Sequence, residues 1–339
     1  MHARLERKLR ALAIVATAGV ISAVGFSAAL GHADPIGIAI GISYGLLLCL
    51  SLGSITLFVF QGPMRGWLAA RSFTTNVAVK SAVYAAVIIP TQWFQLGARV
   101  IGQYYPTSIR VFWISIVYSV VVVVLFNLVL GIVSLIGQRT FLNFISGRYH
   151  LPVEESRFVL FVDIVGSTAL AERLGGVGIH RLLDRIFRLL TVAIEDYRGE
   201  VLNYVGDEVI VTWPERRGAV ECRPLRCFIA MREELVRAAG QLQCEFGVMP
   251  QIRGSLHFGT VIIGEIGDVK RAIVFNGDVM NTAARLEELS RNVDGGFLVS
   301  RAAMERFNSP PPFAVRDLGR LPIRGRADGI DVVGLGAPG

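Results

Sequence analysis

Acidic residues are nearly missing from the first 140 positions of this 339-residue chain, where Glu6 and Asp34 stand against ten lysines and arginines. Residues 141–339 hold 25 acids and 24 bases, so the net charge of +7 comes entirely from the first part. A basic chain raises nucleic-acid binding as a class. Here the bases flank apolar runs, and no nucleic-acid partner is expected. Lysine is scarce too, three residues against 31 arginines. Of the four cysteines, Cys49 lies in an apolar run, and Cys222, Cys227 and Cys244 have no zinc-ligand spacing. They read as buried thiols, without a disulfide framework. There is no internal repeat and no low-complexity tract.

What the chain has in excess is apolar sequence: 53% hydrophobic residues and a mean hydropathy of +0.52. Four stretches read as transmembrane helices, Ala11–Gly31, Ile36–Phe60, Val77–Leu96 and Val111–Ile136. Each has about the 20 residues needed to cross a hydrocarbon core of about 30 Å. The third carries Lys80, Pro90, Gln92 and Gln95 and is the least apolar; Lys80 sits near its end, where it can snorkel. Arg4, Arg7, Lys8 and Arg10 precede the first span, Arg65 and Arg71 separate the second from the third, and Arg139 and Arg148 follow the fourth. That distribution puts both termini in the cytoplasm. Three further spans argue against a cleaved signal peptide.

Charge returns in RTFLNFISGRYHLPVEESR, residues 139–157, which read as a linker between a membrane domain (1–138) and a cytosolic domain (158–339). Beyond it the pattern mixes strands and helices. VLFVD reads as a strand, followed by helices over Thr168–Leu174 and Gly178–Tyr197. VLNYV and EVIVTW flank Gly206-Asp207 and predict a hairpin. A helix is expected at Leu225–Ala239, strands at Gln251–Phe258 and Thr260–Ile266, and a helix at Asp278–Ser290. This order suggests an α+β domain on a mostly antiparallel sheet flanked by helices.

Asp163 ends an apolar strand, and Asp207 sits in a hairpin turn. Side by side at one sheet edge, the two carboxylates would repel unless a cation lay between them. Hard oxygen donors suit Mg²⁺ or Mn²⁺. Gly166, Ser167 and Thr168 open the next helix, offering backbone N–H groups and a positive helix end to a polyphosphate. Either aspartate alone is equally a turn residue. In NGDVMNTAARLEEL, Asn281 and Arg285 lie one turn apart on one helix face, as a ligand grip or a solvated pair.

These segments together resemble the class III nucleotidyl cyclases, which make cyclic AMP or cyclic GMP. The resemblance covers about residues 155–335 and rests on FVDIVGST, NYVGDEVIVTW, LHFGTVIIGEIG, NGDVMNTAARLEE and LPIRGRADGIDVVGL, in the family's order. GRYHLPVEESR followed by FVDIVGST is similar to a bacterial subgroup with a four-span anchor, which implies the bacterial inner membrane. The resemblance implies that Asp163 and Asp207 hold two metal ions with the Ile164 carbonyl. It also implies that Asn281 positions the ribose and Arg285 stabilises the transition state. In that family the two halves of each site come from opposite subunits, which implies a homodimer. The implied substrate is ATP, whose ribose 3′-OH attacks the α-phosphorus as pyrophosphate leaves.

The chain departs from the family at three places. A base-contacting lysine is replaced by Asn203, the second base-reading position falls on Val274, and a phosphate-binding lysine appears as Arg324. The last change keeps the charge. The first two leave purine choice open, so a guanylate or mixed-specificity cyclase is an alternative, as is a catalytically silent nucleotide-binding receptor. VGDEV superficially resembles the Gly-Gly-Asp-Glu turn of diguanylate cyclases, but only one glycine precedes Asp207. Four spans with almost no internal charge argue against a channel or transporter. His257 reads as structural, since no partner acid or nucleophile stands beside it in sequence. Lipid is the expected surrounding of the first domain; an upstream ligand is unidentified.

Overall fold

The computed structural model describes residues 2–29, 31, 34–60, 62–69, 71–102, 109–136, 143, 147–269, 271–311, 313–324 and 329–335. The chain divides into two compact units, Met1–Gln138 and Arg139–Gly339.

The first unit holds four long helices: α1 (His2–Ala29), α2 (Pro35–Ser54), α3 (Phe73–Gly102) and α4 (Ile109–Ile136). Each expected span falls on one of them. Proline opens α2, where its fixed φ suits the first turn and its missing N–H costs nothing. A π-helical stretch, Ile55–Phe60, continues that helix. Two segments are long and apolar enough to cross a membrane, Pro35–Phe60 and Phe112–Val129; a shorter apolar helix runs over Val15–Ala29. Pro90 lies inside α3. Two residues on, Gln92 is buried and donates to the Tyr44 hydroxyl (2.6 Å) and Ser119 Oγ (3.2 Å). These hydrogen bonds join α2, α3 and α4 through satisfied polar groups, as an apolar surrounding demands.

The second unit is built on an eight-stranded mixed sheet. Its strands are β1 (Val153–Ile164), β2 (Glu200–Val205), β3 (Glu208–Pro214), β4 (Ile252–Ile266), β5 (Ala272–Asn276), β6 (Phe297–Ser300), β7 (Val315–Leu321) and β8 (Ile330–Leu335). The order is β2-β3-β1-β4-β6-β8-β7, with β5 pairing β4. β4–β6 is a parallel pair, and the other pairings are antiparallel. β1 begins at Val153, inside the stretch read as linker, because Val153–Arg157 already pair with Ile263–Gly259.

Successive strand residues face opposite sides of a sheet, and β1 is buried on both from Phe158 to Ile164. Phe158, Leu160, Val162 and Ile164 join a core formed with α5 (Ser167–Asp196) and α6 (Arg223–Phe246), including Leu182, Ile186, Leu225 and Phe228. Val159 and Phe161 pack instead with Val279 and Ala283 of α7 (Asp278–Ser290). By the same alternation Asp163 belongs to the α7 side. Gly175 (φ 71°, ψ 168°) breaks α5 into two helices, as the sequence predicts. One expectation fails. Gln251–Phe258 and Thr260–Ile266 are a single fifteen-residue strand, β4, beginning at Ile252. Gly259 does not turn the chain; it pairs with Arg157, and a Cβ there would come within 3.2 Å of Val279. Its missing side chain lets α7 approach the sheet.

Candidate active site

The β2–β3 hairpin and the end of β1 deliver the two aspartates to one place. Asp163 stands opposite Glu208 on β3 and Arg253 on β4. Asp207 occupies the turn before Glu208, after Gly206 (φ 62°). Their carboxyl groups lie close enough to influence each other, with Ser167 at the start of α5 beside Asp207. Gly166 caps α5 in the left-handed region (φ 72°, ψ 23°), where a side chain would be strained. Ile164 is buried as the last residue of β1, Ser167 is half-buried and Thr168 is exposed.

Burial pushes Asp163 up to about 7, reinforced by the neighbouring Asp207 and Glu287 charges and opposed by Arg253. Burial also works against ionised Asp207, but hydrogen bonds from Asp163 and Ser167 outweigh it and hold that carboxyl below its ordinary value. The two carboxyls therefore titrate together, Asp163 shifted up and Asp207 down. Glu208 is likewise raised to about 7, by burial and by Glu287, Asp163 and Asp207. Arg253 bridges the cluster. Its guanidinium donates to Asp163 Oδ2 through one nitrogen and to Glu287 Oε1 through Nε at 2.9 Å. Arg291 approaches Asp163 Oδ2 at 4.0 Å.

Two adjacent hard carboxylates fit a divalent cation, which would offset their mutual repulsion. Among the described residues no group of three His, Cys, Asp or Glu side chains surrounds one point. Further ligands would thus come from the Ile164 carbonyl, water and substrate phosphates, the usual habit of Mg²⁺.

The structure unites Asp163, Ile164, Asp207, Gly166, Ser167 and Thr168 at the β1–α5 junction. Asn281 (exposed) and Arg285 (half-buried) lie on α7 as expected. Among the described residues no hydrogen bond or ion pair joins either to the aspartates. Asn203 is exposed on β2, and its side-chain oxygen accepts from the Tyr204 N–H (3.0 Å). Val274 is half-buried on β5, opposite Gly264, and Arg324 is exposed in the turn after β7. His257 is buried with Nδ1 2.8 Å from Ser300 Oγ, a structural setting. Sequence reasoning missed Glu208, Arg253, Glu287 and Arg291. Glu208 follows Asp207 directly and Glu287 follows Arg285 by two, so both were within reach. Arg253 becomes visible only through strand register, and Arg291, which follows α7, only through how that helix packs on the sheet.

A carboxyl pair at the mouth of β1 thus stands beside a helix start on a mixed sheet flanked by helices. Residues 153–333 match the family described as "Adenylate and Guanylate cyclase catalytic domain", and the chain belongs to that family. It is similar to "Adenylate cyclase 2" of Rhizobium meliloti (strain 1021), at 36% identity over 209 residues, 62% of this chain and 58% of that protein. An "Adenylate cyclase" of Anabaena cylindrica is 25% identical over 180 residues, 51% of this chain and 35% of that one. The chain thus spans less than two thirds of these relatives' length. Among solved structures, a bacterial light-regulated adenylyl cyclase superposes with a TM-score of 0.56 at 20% identity, covering 64% of each chain. Adenylyl cyclase CyaB from P. aeruginosa gives 0.50 at 22%, covering 55% of this chain and 96% of that one. These likenesses concern the fold.

Proposed function

We propose that the protein is a membrane-bound adenylate cyclase that converts ATP to 3′,5′-cyclic AMP and pyrophosphate at two composite sites of a homodimer. The observation that carries this reading is the placement of Asp163, opposite Glu208 in register, and Asp207 in the adjoining turn, beside the start of α5. Asp163, Asp207 and the Ile164 carbonyl hold two Mg²⁺ or Mn²⁺ ions. When bound, such ions make the ribose hydroxyl a better nucleophile and neutralise phosphate charge. Backbone N–H groups from Gly166 to Thr168 orient the polyphosphate, and Arg324 adds a cation to it. Asn281 of the partner subunit fixes the ribose, and the partner subunit's Arg285 meets the charge that grows as the α-phosphorus is attacked. That Asn281 and Arg285 make no polar contact with the aspartates of their own chain, among the described residues, supports the shared arrangement.

The preference for ATP rests on the names of the relatives, since Asn203 is occupied by its own neighbour and Val274 offers no side-chain hydrogen bond. Those two residues leave purine choice open, so the second reading is a guanylate or mixed-specificity cyclase. For the anchor, the reading is four spans within residues 1–138 in the bacterial inner membrane, with both termini and the catalytic domain cytoplasmic. Trp113, Val117, Val121 and Leu125 are all exposed on α4, as lipid contact would allow. The stretch read as linker joins that anchor to the catalytic domain, whose first strand begins within it, at Val153. The test supplies full-length protein in membranes with ATP or GTP and Mg²⁺ or Mn²⁺, and quantifies both cyclic nucleotides. Cyclic AMP that disappears in Asp163→Ala is expected; cyclic GMP alone would overturn the purine assignment, and neither product would favour the silent receptor.

A further inference from the structure

The sheet ends on β7, an edge strand that pairs with β8 and leaves most of its residues exposed. Between α6 and this end of the sheet lies an open groove of about 1200 Å³. That volume exceeds the roughly 300–1,000 Å³ of small-molecule pockets. Ile229 and Val236 of α6, Phe313, Leu318 of β7 and Leu335 of β8 give it apolar walls. Val236 is 75% exposed, so this apolar side chain stands open to solvent where other apolar groups line the same groove.

Charge decides what can lie there. Four arginines line the groove, Arg226, Arg232, Arg237 and Arg316, against two acids, Glu233 and Asp294, an excess of two positive charges. Arg237 is occupied within its own helix, with Glu233 at 3.8 Å and Glu234 at 3.1 Å. Arg226 and Arg232 meet backbone carbonyls instead, those of Glu221 (2.8 Å) and Gly295 (3.3 Å). Arg316 makes no hydrogen bond or ion pair among the described residues. From Arg226 to Arg237 the charges spread along about 16 Å of α6. A ligand with a single charged head would answer only one of them. An acidic amphipathic helix presents carboxylates along its whole length, beside an apolar stripe. A groove with apolar walls is the form in which proteins hold such helices.

We propose that this groove docks an acidic amphipathic helix of a partner protein, its apolar stripe between α6 and β7 and its carboxylates on Arg226, Arg232 and Arg316. None of these three arginines has to give up a carboxylate to receive it, so docking breaks no ion pair. Neither Asp163 nor Asp207 lines the groove. The docking site is thus separate from the candidate active site, and the inference does not depend on the cyclase reading.

The probe is a fluorescent synthetic helix of about 15 residues, with leucines on one face and glutamates flanking them. It is titrated by anisotropy against the full-length protein in phosphatidylcholine nanodiscs. Binding that weakens as salt is raised is expected. The same peptide with lysines in place of the glutamates should bind about tenfold more weakly or not at all. Arg316→Glu and Val236→Asp should each weaken binding of the acidic peptide about tenfold. Both residues are exposed, so the variants should keep the parent melting temperature. Arg316→Glu should also bind the lysine peptide more tightly than the parent does, a gain that general damage cannot produce. Arg181→Glu, the same change of charge at an exposed position of α5 outside the groove, should leave binding unaltered. No binding by the parent, or binding that neither groove substitution weakens, would overturn the proposal. So would binding of phosphatidylserine vesicles that depends on Arg316 and Val236 when peptide binding does not, because the groove would then be a lipid contact.

Discussion

Asp163 is a buried carboxyl that stays protonated until about pH 7 because Asp207 and Glu287 crowd it and burial disfavours its charge. Replacing either aspartate with asparagine keeps the shape and the hydrogen bonds but removes the charge that would attract a cation. Asp163→Asn and Asp207→Asn should each lower cyclase turnover by about 1,000-fold or more, the rate equivalent of several kcal/mol. Circular dichroism melts should be unchanged or raised, because a buried like-charge pair has been relieved. The raised value also sets a pH dependence. A carboxyl with a folded-state pKa above its unfolded value stabilises the fold below about pH 4, and that contribution is lost as pH rises through about 7. A divalent ion needs the ionised form. Added Mn²⁺ should therefore raise the melting temperature more at pH 8 than at pH 6; an equal shift at both would mean that the ion does not displace this proton. At this scale the sequence was legible where a role is carried by a short motif. Asp163, Asp207, Asn281 and Arg285 stand in such motifs. Arg253 does not: it lies 90 positions from Asp163. Only the antiparallel register of β1 and β4 sets the two opposite each other.

Among elements, helices and the hairpin were readable because their signals are local. Gly206-Asp207 turns the chain, Gly175 interrupts α5, and α7 spans Asp278–Ser290 as its apolar spacing implies. β4 was misread at Gly259 because a glycine needed for close helix approach looks the same in sequence as one needed for a turn. The entry to β1 is fixed in a way the linker's composition does not reveal. Arg157 is buried and pairs with Glu155 (2.8 Å) and Glu200 (3.1 Å), and the Tyr149 hydroxyl donates to Glu155 (3.0 Å). The Tyr149 carbonyl accepts from the Glu265 N–H at 2.9 Å, so residues around 149 are tied to both β1 and β4. Arg157→Ala would remove the buried guanidinium that two shielded glutamates share, at a cost of about 3 kcal/mol. The catalytic domain should then melt several degrees lower, and Arg157→Lys should recover part of the loss. An unchanged melt would show that water compensates both carboxylates.

For the whole molecule, the feature that bears on assembly is that α7 carries Asn281 and Arg285 with no hydrogen bond or ion pair, among the described residues, to the aspartates of its own chain. A homodimer with two shared sites makes a quantitative expectation. Asp163→Ala chains and Arg285→Ala chains should each be inactive alone. In a dimer containing one of each, one site receives both defects and the other receives neither. Random pairing makes about half of the dimers mixed, each with one of its two sites intact, so a one-to-one mixture should recover about a quarter of the parent cyclic AMP formation. Co-expression of the two full-length variants with different affinity tags, isolation of the doubly tagged dimers and measurement of cyclic AMP from ATP test this most directly. Purified mixed dimers should work at about half the parent rate per dimer. Mixed dimers as inactive as either variant alone would contradict the shared site and, with it, the assignment of Arg285 to the partner's aspartate pair.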